Sequence, residues 1–292
     1  MPKELKFADK ASQALIKRAC DDQIATVWDR WDAMQPQCGF GKTGICCRIC
    51  TMGPCRVDPF GNGPQVGVCG ANADTIVARN LVRMIAGGAA AHSDHGRDIV
   101  HTLHMASENE NGDYTIKDAE KLKEIAKVYG IETKDRDVRE IGVELANACF
   151  EEFGRQGGEL EMAKTAPPAR VKKWQDLGIM PRAIDREIVE IMHRTHIGVD
   201  AEYRNIIKQG LRASLSDGWG GSMIATELSD VLFGTPNPLR STANLGAIND
   251  EYVNIIVHGH EPTLSDIIAV VSMKEEITEK AKKAGAKGVN IG

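Results

Sequence analysis

The chain is poor in aromatics, with 6 Phe, 4 Tyr and 4 Trp in 292 residues, and it has no long apolar run. Its longest largely apolar stretches, such as Val253–Val257 and Ile267–Val271, fall far short of the ~20 residues that cross a bilayer as a helix. No excess of basic residues is present either: 36 Lys and Arg stand against 41 Asp and Glu, for a net charge of −5. With no basic cluster to meet phosphates, no nucleic-acid partner is expected. The opening residues, MPKELKFADKAS, lack the apolar core of a secretory signal. A cytoplasmic protein without a membrane span is therefore the expectation. No internal repeat or low-complexity tract interrupts a composition that is 42% hydrophobic and 26% charged, which is ordinary for a globular protein of one large or two average domains.

Against this plain background the cysteines are unevenly placed. Six of the 8 lie between Cys38 and Cys69, as Cys38, Cys46, Cys47, Cys50, Cys55 and Cys69. In a reducing compartment such clustered thiols point to metal before disulfides. Structural zinc favours two paired knuckles, which this spacing fits poorly. Dense thiolate sets of this kind hold iron–sulfur centres, and that reading leads, with zinc and disulfides as the alternatives. The same stretch is broken by many glycines and prolines, so ordering it by packing alone would be costly, and ligand bonds would supply the fixing energy. Cys47, Cys50, Cys55 and Cys69 make a natural quartet for a cubane. Cys38 and Cys46 remain as a half-set, which a two-fold axis between identical subunits would complete.

Apolar periodicity predicts a helix over 11–34, with Cys20 on its buried stripe. A second helical region over 72–107 is predicted to break near Gly87-Gly88. Further helices are predicted over 116–129, 135–153, 181–196, 201–215 and 222–233, with Cys149 at a core position. Beyond Gly234 the texture changes to a strand over 252–258, a helix over 263–284 and the start of a strand over 288–291. That is most of a βαβ unit. The expected fold class is a mainly α N-terminal iron–sulfur domain over 1–235, followed over 236–292 by the truncated start of a Rossmann-like α/β domain.

Four histidines, His92, His95, His101 and His104, fall close together in GGAAAHSDHGRDIVHTLHMA. Imidazoles beside a redox loop suggest proton traffic. On an ideal helix His92 and His101 would face opposite sides, a difficulty that Gly96 or a local 3₁₀ stretch could relieve.

The block PQCGFGKTGICCRICTMGPCRVDPFGNGPQVGVCGA with GGAAAHSDHGRDI, HRTHIGVDA, SMIATELSDVLFGTPNP and VNIIVHGHEPTLSDII resembles the catalytic subunit of anaerobic nickel–iron carbon monoxide dehydrogenases. The likeness runs over nearly the whole chain. It implies a homodimer that oxidises CO with water to CO2, two protons and two electrons, and passes the electrons to a ferredoxin-like acceptor. Cys38 and Cys46 match the pair that, with its symmetry mate, holds a 4Fe–4S cluster on the dimer axis. Cys47, Cys50, Cys55 and Cys69 match the ligands of a 4Fe–4S cluster within each subunit. His260 matches an iron ligand of the nickel–iron–sulfur cluster, and His258 has no such match. His92 matches the acid–base histidine, with His95 and His101 as further relay members; Asp98 stands where many relatives carry another histidine, and His104 lies outside the set. The remaining active-site cysteines and the catalytic lysine of the family are not in these residues, so the chain reads as an N-terminal portion. A truncated, non-catalytic electron-transfer module is the alternative. So is a hybrid-cluster redox protein, which the CC-x2-C-x4-C block with GAAAH disfavours.

Overall fold

In the computed structural model, residues 10–109, 112–236, 249, 251–257 and 262–291 are described. The chain divides into two units, Cys38–Thr235 and a second made of Met1–Gln37 with Pro236–Gly292.

The second unit begins with α1 (Lys10–Asp21) and α2 (Val27–Ala33), where one unbroken helix is expected. The break is a local closure at Gln23, whose φ of 56° is left-handed. Gln23 N–H donates to Cys20 O at 3.2 Å and Ile24 N–H to Ala19 O at 2.8 Å, the hydrogen-bond pair of a Schellman ending. Thr26 then restarts the helix, its N–H donating to Asp29 Oδ2 at 2.8 Å in a capping box. The stripe is thereby cut: Ile16 is buried, but Val27, Trp31 and Met34 are exposed. Cys20 is exposed as well, not the core thiol its spacing suggests.

The unit Cys38–Thr235 is mainly helical, and its strands lie in a cysteine-bearing loop before the longest helix. That loop holds α3 (Gly39–Lys42) and two dipeptide strands, β1 (Cys46–Cys47) and β2 (Cys55–Arg56). These strands pair antiparallel, with Cys46 opposite Arg56 and Cys47 opposite Cys55. The axis of the unit is α4 (Ala73–Glu108), 36 residues long and so roughly 54 Å. Its start is fixed by Asn72, whose side chain accepts from Thr75 N–H at 3.0 Å. Gly87 and Gly88 do not interrupt it. Two mid-helix glycines cost about 1 kcal/mol each, which the burial of Val82, Ala86, Ala89, Val100 and Leu103 on the same helix outweighs.

Around α4 pack α6 (Val138–Gly154), α8 (Ile184–Arg194), α9 (Tyr203–Ser216) and α10 (Ser222–Phe233), while α5 (Ala119–Val128) packs on α6 and α10. A helix that apolar periodicity does not reveal, α7 (Pro168–Asp176), has few large apolar residues and buries only Trp174. Its start is read from Pro168 at the first turn. The main core includes Leu103, Leu122, Ile141, Leu145, Ile224 and Leu228. A second cluster joins Val82 of α4 to Ile191 of α8 and Ile206 of α9. Between α9 and α10 the chain runs through one π-helical turn, Asp217–Gly221. This turn meets α4 backbone to backbone: a Cβ on Gly96 would lie 2.7 Å from Gly221 O, and one on Gly221 2.7 Å from His92 O. Gly96 is needed for this contact, and α4 shows no 3₁₀ realignment there.

In the other unit, β3 (Val253–Ile255) and β4 (Val289–Ile291) pair in parallel, Asn254 opposite Asn290. The crossover between them is not one helix but two, α11 (Pro262–Ser272) and α12 (Glu275–Lys283), with Lys274 extended at the break.

Candidate metal centre

Four thiols of the loop share one cavity. Cys47, Cys50, Cys55 and Cys69 line it, together with Gly53, Gly67, Ile76, Arg79 and Ile197. The strand pairing sets Cys47 opposite Cys55, and the small buried group Val57, Ala71 and Ile76 anchors the loop beneath. Asn80 of α4 pins the loop, its Nδ2 donating to Gly44 O at 2.9 Å and Cys46 O at 3.1 Å. Gly67 keeps the wall thin: a Cβ there would come within 3.4 Å of Cys55 Sγ.

The donor chemistry suits sulfur in its ionised form. Val68 N–H points at Cys55 Sγ at 3.5 Å, and Arg79 Nη1 at Cys69 Sγ at 3.7 Å. Burial resists ionisation of Cys69, but the Ala71 N–H and the Arg79 guanidinium more than offset it, and the thiol is held below its ordinary value. Among the described residues no three Cys, His, Asp or Glu side chains converge tightly enough for a single metal ion. A lone zinc would need all its thiolates about 2.3 Å from one point. Thiols spread around a cavity fit a polynuclear centre, whose ligands sit at separate corners.

Cys46 and Cys38 are absent from that cavity's lining. Neighbouring strand residues face opposite sides, so Cys46 turns away from the side that Cys47 takes. Cys38 is exposed at the start of α3. Backbone N–H groups of Gly41 and Phe40, with Arg56 nearby, hold its thiol below the usual range. Arg56 also stacks over the Phe40 ring at 5.2 Å.

The histidines do not form one row. His92 Nδ1 lies 2.7 Å from Asp217 Oδ1 of the π-helical turn, a partner 125 residues distant that no spacing rule flags. A carboxylate on Nδ1 fixes the orientation of the ring. His95 is exposed. His101, also exposed, lies against Phe150 with ring centroids 4.6 Å apart. His104 is 3.4 Å from Glu108. Because α4 is regular α-helix throughout, His92 and His101 leave on opposite sides, and neither Gly96 nor a 3₁₀ stretch realigns them. His258 and His260 lie outside the described residues.

The family model described as the Prismane/CO dehydrogenase family matches residues 45–292. The chain belongs to this family. Among curated members, carbon monoxide dehydrogenase 1 of Methanosarcina acetivorans is 57% identical over 98% of this chain and 46% of its own length. Carbon monoxide dehydrogenase 1 of Carboxydothermus hydrogenoformans is 50% identical over 97% of this chain and 45% of its length. A solved member is the nickel-free carbon monoxide dehydrogenase of Thermococcus sp. AM4. It superposes with a TM-score of 0.85 at 53% identity, covering 98% of this chain and 47% of its own. The chain thus spans about half the length of the curated relatives it matches.

Proposed function

We propose that the chain works as part of a nickel–iron carbon monoxide dehydrogenase, oxidising CO with water to CO2, protons and electrons. The observation that carries this reading is the set Cys47, Cys50, Cys55 and Cys69 around one cavity, in a chain 57% identical to a carbon monoxide dehydrogenase. These four residues would hold a 4Fe–4S cluster, which supplies one-electron transfer. Cys38 and Cys46 would hold half of a second such centre, completed by an identical subunit, and electrons would leave to a ferredoxin-like acceptor. His260 would serve as one ligand of the nickel–iron–sulfur cluster. The parallel β3–α11–α12–β4 arrangement supports the start of a Rossmann-like domain over 236–292, after a helical domain over 1–235. No described helix is long and apolar enough to cross a membrane, and a cytoplasmic location is part of the reading.

His92 would accept or return the protons of the reaction, with Asp217 holding its ring. His95 and His101 would extend the relay only through groups between them, since α4 sends His92 and His101 to opposite sides. The protein purified without oxygen should contain iron and nickel and reduce viologen when given CO. Viologen reduction by nickel-free protein at the same rate would overturn the proposal.

A further inference from the structure

Arg79 is the odd group in the thiol-lined cavity. It sits on the second turn of α4 and is 2% exposed. Its Nη2 donates to a neutral acceptor, Asp200 O, at 2.8 Å. Its Nη1 points at Cys69 Sγ at 3.7 Å, and its buried Nε has no hydrogen-bond partner. Among the described residues, no carboxylate forms an ion pair with it, whereas the buried Glu187 lies against both Arg182 and Arg212. A guanidinium does not shed its proton in a protein. An unpaired buried charge is strongly destabilising, so the position calls for a negative partner, and the cavity is where Arg79 faces one.

We infer that Arg79 is a positioning and potential-setting residue for an iron–sulfur cluster held by Cys47, Cys50, Cys55 and Cys69. The inference rests on the ligand assignment proposed above. Four thiolates leave such a cluster with net negative charge in both oxidation states. Reduction adds one electron and forms or breaks no bond, so the reduced state is the more negative. A fixed cation at its edge stabilises that state more than the oxidised one, and raises the potential. Arg79 also holds the far wall in place. Its bond to Asp200 O, with Thr75 Oγ1 donating to Ala201 O at 2.6 Å, ties the 197–201 turn to α4, and Ile197 of that turn closes the cavity.

The test is a dithionite titration of the anaerobic protein with redox mediators, followed by electron paramagnetic resonance of the reduced clusters and by iron analysis. R79Q should keep its iron and shift one cluster midpoint to more negative potential, leaving the others in place. R79K, which restores the charge, should return that midpoint toward wild type. An R79Q midpoint equal to wild type, with iron retained, would overturn the inference while leaving the four-cysteine assignment standing. Should R79Q lose its iron, R79K decides: a wild-type midpoint supports the role of charge, and a negative displacement despite the charge refutes it. Wild-type protein without any iron–sulfur signal would instead bring down the ligand assignment itself.

Discussion

Glu152 is 1% exposed, and burial raises its carboxyl from an ordinary 4.5 to about 7, although Arg155 stands against it. Its Oε2 accepts from Glu161 N–H at 2.8 Å, so it holds the chain beyond α6. Between about 4.5 and about 7 the folded protein keeps a proton that the unfolded chain releases. Stability should therefore fall as pH rises through that window and level off above it. Glu152→Gln should flatten the slope by about one proton, up to ~1.4 kcal/mol per pH unit. Urea denaturation across the window measures it, and an unchanged slope would contradict this account. Cys149, buried on α6 within the main core, is the thiol counterpart: burial pushes it up to about 12, so it stays protonated and inert while Cys38 and Cys69 are shifted down.

At the scale of elements, the contact between α4 and the π-helical turn decides whether His92 meets Asp217. Gly96→Ala would set a methyl 2.7 Å from Gly221 O, in backbone that has no slack. Such overpacking should cost about 1–3 kcal/mol, although alanine is the better helix former. Gly88→Ala, with open space around the added methyl, should instead stabilise by about 0.5–1 kcal/mol. Thermal unfolding of the two variants should move the melting temperature in opposite directions. The cysteine quartet was legible in the sequence because short spacing alone brings Cys47, Cys50 and Cys55 onto one loop. Arg79 and Asp217 were not, since their meaning comes from partners more than a hundred residues away. Periodicity marks α6 and α9, with one face toward the core, and misses α7, which has little apolar face to mark. It also runs α1 and α2 together, because the residue that divides them, Gln23, adopts a left-handed conformation that glutamine does not advertise.

At the scale of the molecule, the six loop cysteines split into four around a cavity and two outside its lining. If the two serve a centre shared between subunits, Cys38→Ala should lower iron without abolishing it and should shift the protein toward monomer. Iron analysis with sedimentation velocity checks both, and a variant with no iron at all would contradict the partition. The two described strands at the other end of the chain, β3 and β4, are joined by parallel pairing over only three residues each. A pair so short is not stable by itself in water.

The unbroken α4 carries Arg79 and His92 on a single rod, 13 positions apart and therefore about 20 Å along its axis. Neither residue can drift toward the other unless the rod itself bends. A proline introduced midway, near Ala86, would disturb the ends to which electron transfer and proton transfer are assigned by proposal, while touching neither. Damage at a site remote from both would then look, in any assay of turnover, like the simultaneous loss of two separate parts.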